Sequence, residues 1–288
     1  MMKSASALAF WLLACGVSAG QAAAQTVASL DFCADQYVLA LADRDDIVGV
    51  SPSAETEFSY FAEKAAGLPK IRPTAEEVLL LAPDLVVRQW GGGYGAGTLL
   101  ERFGVPVIQI SFAVTLEETR ENLLRVGAAM GKRERATSLA EAMDARLARI
   151  VAARSKGTEP LPAALYVTPS GTTSGRGTFV HEVLTAAGVT NVSADLGNSP
   201  WHPIRLEALA LAPPDIIVAG FFDLRSRRLD NWSLSQHYFL QRQMARLPVT
   251  FIPSRQLACA AWFVIDAIEA IAETRRSLTR APRSMPGE

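Results

Sequence analysis

The sequence predicts an α/β protein with two Rossmann-like lobes, each built on a parallel β-sheet, that are joined by one long α-helix. Three observations carry this prediction. Short apolar strand patterns alternate with helical patterns, one helix–strand unit occurs twice, and a long helical stretch separates the two copies. Alternation of this kind is typical of parallel sheets with both faces covered, because each parallel connection must cross over the sheet.

The first element is an export signal at residues 1–24. Its apolar segment Ala5–Gly16 follows a lysine and is shorter than the roughly 20 residues that a membrane-spanning helix needs. The small residues Ala22–Ala24 provide a cleavage site. An alternative is processing at Cys15, which would leave the protein anchored by a lipid.

The mature chain divides into a first lobe at 25–130, a linking helix at 131–157 and a second lobe at 158–288. The repeated unit, a helix stopped by proline and followed by a strand, spans Glu76–Val87 in one lobe and Leu206–Val218 in the other. The linking stretch has apolar residues at helical spacing on one face. The strand patterns, in chain order, are Ile47–Val50, Leu85–Val87, Pro106–Ile110, Leu165–Val167, Ile216–Val218 and Val249–Ile252.

Charge and cysteine content narrow the function. The 28 basic and 29 acidic residues give a net charge of -1, which argues against nucleic acid and against a polybasic membrane patch. Cys33 and Cys259 remain after cleavage at residue 24, an even number in an exported chain. A disulfide and two buried thiols are equal alternatives at this point.

Motifs for enzymatic or metal chemistry are missing. The sequence has neither a serine nucleophile elbow nor a His-Glu-x-x-His helix. The histidines His181, His202 and His237 have no carboxylate at the usual metal-ligand spacing. We therefore predict no catalytic residue, no metal site and no cofactor.

A family resemblance is carried by fragments spread over nearly the whole mature chain. In their order and spacing these fragments resemble the periplasmic binding proteins for cobalamin and ferric siderophores. They are Ser29–Asp35, Ile47–Ser51, Glu76–Val87, Phe103–Val107, Thr173–Arg176 and Ser199–Trp201, with Glu207 behind the last. The resemblance implies a periplasmic, nearly rigid monomer that binds a small metal chelate between its lobes and delivers it to an ABC permease and its ATPase.

In that family, one acidic residue on each lobe pairs with arginines of the transporter. The matching residues here are Glu76 and Glu207, and Glu77 is an alternative to Glu76 because an extra proline shifts the match. Without the resemblance, these acids would be explained as first-turn residues that complement the helix dipole.

Ligand contacts are expected at the carboxyl ends of the strands, where open parallel sheets bind ligands. The glycine-rich segment after the strand Leu85–Val87 and the other strand-end loops carry aromatic residues, which suit a large planar ligand. Arg176 lies among glycines and hydroxyls, and suits an anionic group. The predicted ligand-binding residues are Trp90, Tyr94, Arg176, Trp201, Cys33 and Cys259, and other aromatic candidates are Phe112, Phe221, Phe222, Trp232 and Trp262.

The leading hypothesis is thus a transport receptor for a corrinoid or a ferric siderophore. A haem or metal receptor of the same fold is the first alternative. Two further alternatives remain. Turnover of an ester would reveal an exported α/β hydrolase, and the absence of saturable ligand binding would indicate a chaperone or surface interaction module.

Overall fold

The structure is a computed structural model, and it describes residues 25–89, 95–154, 160–195, 200–211, 213–224 and 238–280. The predicted signal at 1–24, with Cys15, lies outside them. The strands are β1 Val27–Ser29, β2 Ile47–Gly49, β3 Leu85–Arg88, β4 Val107–Gln109, β5 Ala163–Val167, β6 Thr172–Ser174, β7 Thr190–Asn191, β8 Trp201–Pro203, β9 Ile216–Gly220 and β10 Val249–Ile252.

Helices connect most of these strands. In chain order they are α1 Phe32–Leu41, α2 Ala62–Ala65, α3 Ala75–Leu81, α4 Ala96–Arg102, α5 Leu116–Ala129, α6 Arg133–Ala152, α7 Phe179–Ala187, α8 Val192–Asp195, α9 Leu206–Leu211, α10 Tyr238–Arg246, α11 Ser254–Leu257 and α12 Ile265–Arg280. Short 3₁₀ turns occur at Arg44–Asp46 and Trp262–Val264. In this part of the chain, no helix is both long and apolar enough to cross a membrane.

Two four-stranded parallel sheets confirm the predicted α/β architecture. The first has the order β2-β1-β3-β4 and the second the order β7-β5-β9-β10. The two strand orders coincide when β3 is matched with β9. Each of these strands follows a helix, α3 or α9, and the pairs α3–β3 and α9–β9 are the two copies of the repeated unit. Both β3 and β9 are almost entirely buried, as expected for strands covered on both faces.

The long helix between the two sheets, α6, is shorter than the predicted 131–157. It begins at Arg133 and ends at Ala152. Just beyond it, the Arg154 guanidinium donates hydrogen bonds to the carbonyl oxygens of Thr185 and Ala186 at the end of α7, at 3.0 and 2.6 Å. These bonds fasten the end of α6 to α7 of the second lobe, and the predicted end at 157 lies outside the described residues.

Helix α6 packs tightly against α5 of the first lobe and also contacts α7 and α12 of the second. Gly127 allows the close approach to α5, because a Cβ atom there would lie 2.2 Å from the Cβ of Ala136. The linking helix is therefore part of both lobes' packing rather than a free spacer.

A two-stranded antiparallel sheet was missed by the sequence analysis. Strand β6 pairs with β8, so that Ser174 lies opposite Trp201. Each strand has three residues, and α7, β7 and α8 lie between the two in the chain, which leaves no local alternation to detect.

The C-terminal segment packs back onto the first lobe. Tyr37 of α1 meets Trp262 edge to face at 5.1 Å between ring centroids, and Tyr60 stacks on Phe263 at 4.3 Å. The Tyr60 hydroxyl donates to Asp266 at 2.5 Å. Residues from both lobes thus share one continuous apolar core.

Candidate functional site

Residues that follow the carboxyl ends of the two sheets meet at two hydrogen bonds, and the region between these ends is the candidate cleft. On one side, the Leu116 amide at the start of α5, beyond the end of β4, donates to the Glu182 carboxylate at the start of α7, at 3.3 Å. On the other side, the Ser254 hydroxyl after β10 donates to the Glu57 carbonyl in the segment after β2, at 3.4 Å. Ligands of open parallel sheets bind at such strand ends.

The first-lobe wall of this cleft contains a cavity of about 440 Å³. Its lining residues follow or end β3 and β4: Gln89, Gln109, Ile110, Ser111 and Phe112. The Phe112 side chain is 71% exposed. Among the described residues, this wall therefore offers amide and hydroxyl groups and one aromatic face, and none of these lining residues is charged.

The backbone at this wall is held by a buried amide. Asn122 of α5 accepts a hydrogen bond from the Ser111 N–H at 3.1 Å and donates one to the Ser111 carbonyl oxygen at 2.9 Å. Because both bonds come from one side chain, the segment after β4 is fixed where it borders the cavity.

The second-lobe wall is formed around the β6–β8 sheet. Trp201 on β8 is 52% exposed, and its ring packs edge to face on buried Tyr166 of β5, with 6.3 Å between centroids. Arg176 is exposed and follows β6 in the turn before α7. Two residues that the sequence analysis named as ligand contacts thus lie on or beside this small sheet.

Phe221, directly after β9, has a φ of 65°. A bulky residue rarely adopts this left-handed conformation, and such strain is concentrated at ligand sites and turns. Its position at a strand end agrees with the sequence prediction that it belongs to the cleft loops.

Cys33 and Cys259 form a disulfide. The two side chains are 3% and 4% exposed, and Cys33 lies in the first turn of α1 rather than in a loop. Of the two alternatives left open by the sequence, the structure has the disulfide, whose sulfur atoms have no thiolate to offer a metal; the predicted contact of these residues with a ligand stays a prediction. The aromatic candidate Trp262 is buried as well, with its ring packed against Tyr37.

The two predicted docking acids occupy equivalent positions. Glu76 lies in the first turn of α3 and Glu207 in the first turn of α9, and both are exposed. Glu77 is engaged differently, because hydrogen bonds from the Arg72 backbone N–H and side chain lower the pKa of its carboxyl group. Glu76 is thus the acid of this pair that points into solvent.

The described histidines are engaged by neighbours. In His202, Nε2 is hydrogen-bonded to the Ser193 hydroxyl at 2.6 Å and Nδ1 to the Pro203 carbonyl at 3.0 Å. Nδ1 of His181 lies 3.3 Å from the Asn191 amide nitrogen. Within the described ranges, no group of three or more His, Cys, Asp or Glu residues is arranged to hold a metal ion.

Several predicted contacts lie outside the described residues, namely Trp90, Tyr94 and Trp232. Conversely, the sequence analysis did not single out the polar residues Gln89, Gln109 and Ser111. The signal that would have found them is their position immediately at or after a buried strand, where side chains reach the sheet edge.

Comparisons with known proteins agree with this geometry. The model of the "Periplasmic binding protein" family matches residues 27–222. A "Cobalamin-binding protein" of Halobacterium salinarum is 28% identical over 204 residues, which cover 68% of this chain and 54% of that protein. The aligned part thus spans about half the length of that relative.

Two solved structures show the same fold. The apo "Periplasmic heme-binding protein RhuT" from Roseiflexus sp. RS-1 has a TM-score of 0.66 at 22% identity, with 88% of this chain and 99% of that chain covered. The periplasmic "Vitamin B12 binding protein BtuF" of Vibrio cholerae has a TM-score of 0.65 at 17% identity, with coverages of 89% and 98%.

Proposed function

This chain belongs to the periplasmic binding protein family, and we propose that it is a periplasmic receptor that captures a corrinoid between its lobes and delivers it to an ABC importer. Capture and release require no covalent step, and the proposal assigns no catalytic residue and no cofactor. The receptor acts as a single copy whose partners are the permease and its ATPase.

The observation that carries the corrinoid assignment is the neutral lining of the cavity. A corrin ring bears amide side chains, which the Gln89 and Gln109 amides and the Ser111 hydroxyl can match with hydrogen bonds. Haem carries carboxylates and many ferric siderophores are anionic, so a site selective for them would direct an arginine or lysine side chain into the cavity. The guanidinium that reaches this wall, that of Arg125, is instead hydrogen-bonded to the Ser111 hydroxyl at 3.3 Å and to the Asn122 side-chain oxygen at 2.8 Å. The name of the Halobacterium relative supports the same ligand.

A haem receptor is the second candidate. Exposed Arg176 on the opposite wall suits a haem propionate, and one structural neighbour is named for haem. Haem iron also needs an axial ligand from the protein. His202 does not fill that role, because both of its ring nitrogens are engaged.

Docking is assigned to Glu76 and Glu207. Two exposed carboxylates on equivalent helices of the two lobes can pair with basic residues of a permease and fix the receptor's orientation. The ion pair of Glu77 with Arg72 leaves Glu76 as the first-lobe contact.

The test is a titration of the mature protein, by tryptophan fluorescence and calorimetry, with cyanocobalamin, cobinamide, haem and a panel of ferric siderophores. Saturable submicromolar binding of a corrinoid is expected. Saturable binding of haem with no corrinoid binding would favour the second candidate. Tight binding of a siderophore alone would contradict the assignment based on the neutral cavity, and the absence of any binding would contradict the receptor function.

A further inference from the structure

Three strand ends of the first sheet meet on two carboxylates beneath the cleft. Asp35 is 0% exposed and accepts hydrogen bonds from the Ser29 hydroxyl, from the Ser51 N–H at 2.9 Å and from the Ser51 hydroxyl at 2.6 Å. Asp31 caps α1 and accepts from the Gln89 N–H at 2.6 Å. The ends of β1, β2 and β3 are therefore tied together at the edge that borders the cavity.

This arrangement costs stability. Burial raises the pKa of Asp35 to about 6 although three donors face it, and the neighbouring carboxylate of Asp31 adds repulsion. Burial also raises the pKa of Asp31, and the hydrogen bonds from the Ala34, Gln89 and Cys33 N–H groups, together with the charge of Arg88, counteract this shift only in part. Buried carboxylates that a fold would hold more easily in the neutral form are concentrated at functional sites.

We propose that Asp31 and Asp35 are positioning residues of the ligand site, an inference that rests on the proposed function. Asp31 holds the peptide of Gln89, a residue that lines the cavity. Asp35 holds the strand end at Ser51 in the same frame. Neither carboxylate needs to touch the ligand, because each acts through the backbone that it fixes.

The chain offers a matched control at the opposite edge of the same sheet. Asp84 accepts hydrogen bonds from the Thr26 N–H and hydroxyl, both at 2.8 Å, and so joins the amino ends of β1 and β3. It ties the same two strands together as Asp31 does, but away from the cleft. Asp84→Asn therefore separates a loss of strand pairing from a loss of the ligand site.

The experiment compares Asp31→Asn, Asp35→Asn and Asp84→Asn in the mature chain. Calorimetry with cyanocobalamin between about pH 5 and 8 is expected to show about tenfold weaker binding for the first two, the size of one lost hydrogen bond to a charged acceptor, and little change for the third. Wild-type affinity is expected to fall as pH drops through about 6, and Asp35→Asn to flatten that profile.

A second measurement needs no ligand. Hydrogen exchange of peptides covering the end of β3 is expected to accelerate in Asp31→Asn and to stay unchanged in Asp84→Asn, because only Asp31 protects the Gln89 amide. Equal exchange and equal affinity in these two variants would overturn the proposal, even if Asp35→Asn fails to fold. If the wild type binds no cyanocobalamin, the proposed corrinoid fails, and the exchange comparison by itself decides the positioning role.

Discussion

Removing the Cys33–Cys259 disulfide tests how the C-terminal segment is held on the first lobe. The bond joins α1 to the turn after α11, and the residues that it links are 226 positions apart in the chain. Its neighbours are the Tyr37–Trp262 pair, one helical turn along α1, and the Tyr60–Phe263 stack. The perturbation is the double variant Cys33→Ala/Cys259→Ala, in which alanine avoids placing a hydroxyl in the core.

The size of the effect follows from chain entropy. A cross-link that closes a loop of this length lowers the entropy of the unfolded chain enough to stabilise the fold by about 5 kcal/mol at 25 °C. Domains are typically stable by only about 5–15 kcal/mol in total. The aromatic contacts remain in the variant, so we expect it to fold but to lose a large share of its stability.

The assay is guanidinium denaturation of the oxidised wild type, the reduced wild type and the double variant, followed by tryptophan fluorescence. The reduced wild type serves as the control, because it loses the bond without any substitution, and it should match the variant within about 1 kcal/mol. A loss below about 1 kcal/mol in both would refute the entropic reasoning. Two free thiols in non-reduced peptides would refute the bond itself.

Trp201→Ala is expected to weaken ligand binding about tenfold with little loss of stability, because the ring is half exposed; Phe103→Ala, at an exposed aromatic residue that ends α4, is the calorimetric control and should bind normally. Glu76→Ala is expected to lower uptake by the importer in reconstituted vesicles while Glu77→Ala preserves it; equal losses would contradict that assignment. Because burial raises the pKa of Asp35 from 3.8 to about 6, the folded state binds the carboxyl proton more tightly than the unfolded chain does. This difference stabilises the fold by about 3 kcal/mol below about pH 4, and the stabilisation is lost as pH rises through 6. The free energy of unfolding of Asp35→Asn, measured by guanidinium denaturation across this pH range, should not show that decline.

Much of the fold could be predicted from the sequence because the signals are local. Strands such as Ile216–Gly220 are continuous apolar runs, and the two repeated helix–strand units already indicated two similar sheets. The β6–β8 pairing could not be predicted, because its register depends on residues that are distant in the chain.

The candidate site was predicted less completely. Trp201 and Arg176 were named from the sequence and stay predictions, whereas the lining of the cavity and the Asp31–Asp35 network were not found from the sequence. Side-chain types alone do not show which strand ends adjoin, and Asp31 could be recognised only as a helix cap.

The sequence by itself determined the α/β class, the duplicated unit and the family resemblance, since these depend on neighbouring residues and on their order. Only the tertiary structure decided that Cys33 pairs with Cys259, that Glu77 rather than Glu76 is held by Arg72, and that the C-terminal segment packs on the first lobe. The physical reason is that these contacts join residues whose distance is set by the packing of the whole chain, whereas helix and strand patterns are set by the periodicity of adjacent side chains.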